Sequence, residues 1–135
     1  MHPNEELVRR LYAARAQGDN DVIREILAED VFWSDPYPPP FGGEFHGIAE
    51  LFDGLFLAIA EKLDDNGFDL HDVIANDTHA VALVEWWSVR HGRRMDGREV
   101  GVYHIREGKI QEVWFMTDDR AAAAAFLVGM GYPPV

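Results

Sequence analysis

The chain has 135 residues, no cysteine, and 24 acidic against 12 basic side chains, for a formal net charge of −12. That length predicts one domain, residues 1–135, able to bury a core without metal or disulfide help. The charge argues against nucleic acid or an anionic membrane as partner. The missing cysteines exclude disulfides, thiolate metal sites and cysteine catalysis. With no signal-type or membrane-length apolar run, a cytoplasmic protein is expected.

In chain order, Asn4 is read as a helix cap, with Glu5 and Glu6 in the first turn, where the helix dipole favours acids. Leu7, Val8, Leu11 and Tyr12 follow at helical spacing, with Arg9, Arg10 and Arg15 assigned to the other face and Gly18 ending the helix. A short second helix carries Val22, Ile23, Ile26 and Leu27. "EDVFWSD" predicts a strand, and a proline-rich loop follows it. A long helix is expected from Gly47 to about Leu63, closed by "DDNG". The period then changes. "FDLHDVIA", "HAVALVEWWSVRHG", "RRMDGREVGVYHIR" and "KIQEVWFMT" read as four strands, and an alanine-rich helix follows "DD".

Helix, helix, strand, helix, four strands and helix make an α+β domain, with an antiparallel meander covered by helices on one face. The strands are apolar on both faces: Trp86 and Ser88 against Trp87 and Val89, Gly101 and Tyr103 against Val102 and His104. Val113, Phe115 and Thr117 oppose Trp114 and Met116 in the same way. Helices suffice for one face only, so a homodimer through the outer sheet face is expected.

The element order, with "LYAARAQGDNDVIREILAEDVFWSDP", "HDVIANDTHAVALV" and "YHIREGKIQEVWFMTDD", resembles the nuclear transport factor 2-like superfamily. Its nearest branches are the SnoaL-like polyketide cyclases and ketosteroid isomerase. The resemblance implies a cone-shaped domain whose curved antiparallel sheet and helices enclose a deep apolar pocket for a small hydrophobic molecule. It also places Asp35, in "SDP", where the isomerase carries its general base. The isomerase's first oxyanion tyrosine aligns with Leu11, next to Tyr12, and its second donor with Gly101. The cyclase's catalytic acid aligns with Phe115 and its pocket histidine with Gly101. The base position is kept and the other catalytic positions are lost. Gly101 would leave room in the pocket floor.

The catalytic candidates are therefore Asp35 as base, with Tyr103 or Tyr12 donating to a developing oxyanion. Burial beside Trp33 and Tyr37 would raise the Asp35 pKa, and Pro36 with Pro38 to Pro40 would stiffen its loop. The plain alternative is that Asp-Pro only initiates a turn. The pocket wall is assigned to Trp33, Tyr37, Phe41, Phe45, Phe52, Phe56 and Trp86, each of which could equally be plain core. Ser88, Gly101, Val113, Phe115 and Thr117 are assigned to the same wall. His46 is a further acid–base candidate, while His104 faces the other way. No histidine pair has metal-ligand spacing, and no cofactor motif is present, so no metal or cofactor is expected. Asp118 and Asp119 are better explained as a helix cap than as an acid–base pair. The expected activity is isomerase- or cyclase-type proton abstraction from a small hydrophobic carbonyl compound. A non-catalytic binding protein for a hydrophobic metabolite and a dimeric scaffold are the alternatives.

Overall fold

The computed structural model describes residues 1–129. Helix α1 (Pro3–Gln17) leads through α2 (Asn20–Ile26) into strand β1 (Leu27–Asp35) and a short β2 (Gly43–His46). A continuous helical rod follows: α3 (Ile48–Glu50), a π-helical segment (Leu51–Phe56) and α4 (Leu57–Lys62). Strands β3 (Asp65–Ala75), β4 (His79–Arg90), β5 (Arg93–Arg106) and β6 (Lys109–Thr117) precede α5 (Arg120–Gly129). From residue 130 onward the C-terminal "GMGYPPV", for which the sequence leaves open its own pocket or a partner subunit, lies outside the described residues.

The strands form one six-stranded sheet in the order β2-β1-β6-β5-β4-β3. The α+β class holds, and three details differ from the sequence reading. β2 lies inside the stretch read as loop and pairs back on β1, with Asp35 opposite Gly43. The sheet is mixed, because β1 runs parallel to β6. Residues Asp65–Gly67, read as a helix stop, begin β3 and pair with β4 as far as Val89. The hairpins follow their turn chemistry. His91-Gly92 and Glu107-Gly108 all sit at positive φ, as two-residue turns between twisted antiparallel strands require.

Helix α1 starts one residue before the expected cap. His2 accepts the Asn4 backbone N–H, and Asn4 is drawn inside the helix, where its side-chain amide donates to the Asn76 carbonyl. Gly18 closes the helix in the left-handed conformation, with φ 67°. The core lies between α1, α2, the helical rod and the concave sheet face. Val8, Leu11, Ile26, Val31, Trp33, Leu51, Ile110 and Val113 are almost completely buried there. Burying such side chains supplies about 25 cal/mol per Å² of apolar surface, and this fixes which sheet face receives the helices. Two indoles lie flat on the sheet because the residue across the ladder is glycine: Trp86 over Gly97 and Trp87 over Gly67.

Candidate functional site

Asp35 ends β1 two residues after Trp33, so both side chains take the same sheet face. The Trp33 indole N–H donates to Asp35 Oδ2 at 2.9 Å. On β5, Glu99 takes the face shared by Gly101 and Tyr103, and its carboxylate accepts from the Tyr37 hydroxyl at 2.8 Å. Tyr37 is held by its own loop. The Phe41 N–H bonds the Pro38 carbonyl, and Gly42 lies so close to the Tyr37 backbone that a Cβ there would collide with it. The Tyr37 ring meets Trp86 edge-on at 5.7 Å.

Asp35, Tyr37, Glu99 and Arg15 line one cavity of about 100 Å³ with Phe68, Trp86, Ser88 and the α5 residues Phe126 and Leu127. This is smaller than the roughly 300–1,000 Å³ of sites for drug-sized ligands, so it suits a compact molecule. Burial pushes the Asp35 carboxyl up to about 7, reinforced by the charge of Glu99 and opposed by the Trp33 hydrogen bond and Arg15. Burial also raises Glu99, against the Tyr37 hydrogen bond and Arg15. The charge of Glu99 therefore makes Asp35 harder to ionise.

Several expected residues reach this cavity: Asp35, Tyr37, Phe41, Trp86 and Ser88. Others do not. The Tyr103 hydroxyl donates to the Tyr12 hydroxyl at 2.7 Å, and both rings are buried in the core. Burial is the first cause raising both phenols. They brace the sheet from behind the carboxyls rather than facing the cavity. Trp33 and Val113 are core, while Phe115 packs on Trp33 and borders a groove under the proline loop. Phe52 and Phe56 line a second cavity against α1 and α2. Phe45 lies over Gly54 of the π-helical segment. Thr117 donates to the Arg98 carbonyl and borders an outer groove, but its hydroxyl also lies beside that of Tyr37 and opposes the rise that burial gives the phenol.

His46 is exposed, tilted against Phe32 and 3.9 Å from Glu50, away from the carboxyls. Gly101 leaves no space either. A Cβ there would meet the Tyr103 and Phe115 rings at 2.8 and 2.9 Å, so those rings fill the room the glycine opens. Asp119 accepts the Ala122 N–H at the start of α5, as a cap does, and Asp118 accepts the Arg98 N–H.

Two functional candidates escaped the sequence reading. Glu99 is two residues before Gly101, so strand alternation already put a carboxyl on the inner face. Arg15 was assigned to the outer face of α1, yet it falls four residues after Leu11 and three after Tyr12, in line with the apolar stripe. Its guanidinium carbon lies 5.3–5.8 Å from the ring centres of Tyr12, Trp33, Phe56 and Phe68.

Residues 8–113 match the family model of the SnoaL-like domain. The chain belongs to that family. An uncharacterised Mycobacterium tuberculosis protein, Rv0034, is 29% identical over 122 residues, covering 90% of this chain and 93% of that one. Among solved structures, Bal32a from a soil-derived mobile gene cassette superposes with a TM-score of 0.84 at 24% identity, covering 92% and 95% of the two chains. A putative SnoaL-like polyketide cyclase from Jannaschia sp. CCS1 gives 0.74 at 19% identity, covering 98% and 94%. The cone-shaped nuclear transport factor 2-like fold is thereby shown.

Proposed function

We propose that this SnoaL-like protein is an acid–base enzyme, of isomerase or cyclase type, acting on a small, largely apolar carbonyl compound. The observation that carries the reading is the Asp35–Glu99 pair: two carboxyls raised by burial in one aromatic-lined cavity, with the charge of Glu99 raising Asp35 further. Asp35, poised at about 7, is the base and takes a proton from the carbon next to the carbonyl. Glu99, whose carboxylate accepts from Tyr37, supplies the charge that makes Asp35 the stronger base, and the Tyr37 hydroxyl donates to the carbonyl oxygen as charge develops there. Returning the Asp35 proton to another carbon completes an isomerisation; attack of the enolate carbon on a second carbonyl of the same molecule, whose oxygen takes the Asp35 proton, completes a cyclisation. Asp35 with Tyr37 and Glu99 thus replaces the expected pairing of Asp35 with Tyr103 or Tyr12.

The test is deuterium uptake next to the ketone of 2-cyclohexenone and of 3-oxocyclohexane-1-carboxylate in D₂O, followed by NMR. Wild type should exchange faster than buffer. Asp35→Asn should lose roughly 10²–10⁴-fold, the usual worth of a positioned acid or base. Exchange at the buffer rate, or exchange indifferent to Asp35→Asn, would sink the proposal. Compounds that bind wild type and Asp35→Asn alike without exchange would favour the binding-protein reading.

We also propose a homodimer through the outer sheet face. Trp114, Met116 and Ile74 are 40%, 50% and 60% exposed there, and the cross-strand row Ile74, Val81, Val102, Trp114 is apolar. Sedimentation of wild type against Trp114→Glu checks it: a monomeric wild type overturns the dimer.

A further inference from the structure

Arg15 is the cation of the cavity, and among the described residues it has neither a hydrogen bond nor an ion pair. Four aromatic rings surround its guanidinium. It acts on Asp35 and Glu99 through space, lowering the pKa of both, yet forms no ion pair with either. A guanidinium carries five N–H donors in a rigid fork. Arg15 is half-buried, so ring faces hold the cation in position while its donors stay open to the cavity and to solvent rather than to a protein acceptor.

Its location adds a second observation. Arg15, Ile59, Asn66 and Phe68 line both the carboxyl cavity and the second cavity between α1, α2 and the helical rod. The guanidinium thus stands in the wall between two spaces, within reach of a ligand in the first. Arg24 adds another cation to the second space, stacked 4.3 Å over Phe52, with Asp53 as that cavity's acid.

We propose that Arg15 anchors a carboxylate of the substrate, so that the carbonyl compound processed at Asp35 and Glu99 is a compact cyclic keto acid. The inference rests on the proposed acid–base site for its reaction but not for its binding. A carboxylate answers the guanidinium fork with two parallel charge-assisted hydrogen bonds. The ring lies against the Phe68 and Trp86 side of the cavity. At about 100 Å³ the cavity is smaller than an apolar protein cavity of about 150 Å³ that holds benzene, so at most one ring fits, and its carboxylate extends toward the second space that Arg15 also borders.

The experiment is calorimetric titration with benzoate and with benzamide, which match in shape and differ in charge. Wild type should prefer benzoate by roughly tenfold or more, the factor that about 1.4 kcal/mol of binding free energy produces. Arg15→Met should bring the preference close to one, while Arg24→Ala should leave it intact. Arg15→Lys keeps the charge and loses the planar fork, so the preference should fall severalfold. This variant decides the matter if Arg15→Met does not fold by circular dichroism. Asp35→Asn, which stops proton transfer under the proposed function, should retain the benzoate preference. Failure of deuterium exchange with benzoate preference intact therefore removes the enzyme reading and leaves the anchor. Equal binding of the two probes by wild type overturns the anchor. So do undetectable benzoate binding, a preference that survives both Arg15 variants, and one that disappears with Arg24 instead.

Discussion

Strand β5 carries two carboxyls three residues apart, and their environments drive them in opposite directions. Asp96 lies on the exposed hairpin end and takes a two-oxygen hydrogen bond from Arg94, with Nη2 to Oδ1 at 2.7 Å; that bond lowers its pKa. Glu99 turns into the cavity, where burial raises it, and Asp35, which lines the same cavity, is also raised. Chain, strand and functional group are the same, so the difference comes from solvent and neighbours. Water and a paired arginine stabilise the charged form, whereas a dry site with a second acid favours the proton. The exposed pair adds little, because solvent screens it. The inner pair stores unfavourable charge that catalysis can use.

The largest expected effect tests that stored charge. Asp35 has an ordinary value of 3.8 and stands at about 7 in the folded protein. Between those values the folded state holds a proton that the unfolded chain has released. Stability is therefore fully present below about pH 4 and is lost as pH rises through about 7. At about 1.36 kcal/mol per pK unit the loss is of the order of a few kcal/mol. Urea unfolding across pH 4–8 should show this decline, and Asp35→Asn should flatten it and be more stable than wild type at pH 8. A wild-type stability that climbs over this range would break the contrast between the two faces.

Smaller effects sharpen the comparison. Gly97→Ala would drive a Cβ into the Trp86 indole. Such overpacking costs about 1–3 kcal/mol, and a shift in Trp fluorescence should accompany the lower Tm. Tyr103→Phe removes the donor of the Tyr103–Tyr12 hydrogen bond, a loss of about 1 kcal/mol, read by denaturant titration. It should leave deuterium exchange nearly intact, since that hydroxyl does not line the cavity. Tyr37→Phe deletes the hydrogen bond that lowers Glu99, so NMR titration should find the Glu99 carboxyl shifted further up. The smallest effect belongs to the outside: Arg94→Ala should raise the Asp96 pKa towards its ordinary value and leave Tm unchanged.

Much of this was legible in the chain. Period 3.6 gave way to period 2 after residue 63, and "HG" and "EG" marked the hairpins. β5 and β6 ran as expected because turn chemistry and alternation agree there. β2 was hidden, since four residues, "GEFH", between glycines carry too little pattern to separate a strand from a loop. The helical rod was visible as a rod, but the π-helical segment within it was not. The apolar positions of Leu51, Phe52 and Leu55 suit either hydrogen-bonding pattern.

At the site, the sequence alone determined which residue types were available: one carboxyl after a buried strand, a stiff loop, many aromatics, and no thiol. It also determined the inner face of β5, and hence where Glu99 would point. Tertiary structure decided the partners. Asp35 and Glu99 meet because the order β1-β6-β5 and the curvature of the sheet bring distant segments to one cavity. Arg15 became a cavity-lining cation because four rings from α1, β1, the helical rod and β3 converge on it. Tyr12 and Tyr103 left the cavity because each could satisfy the other. Desolvation and pairwise charge depend on distance in space, which local sequence spacing does not encode.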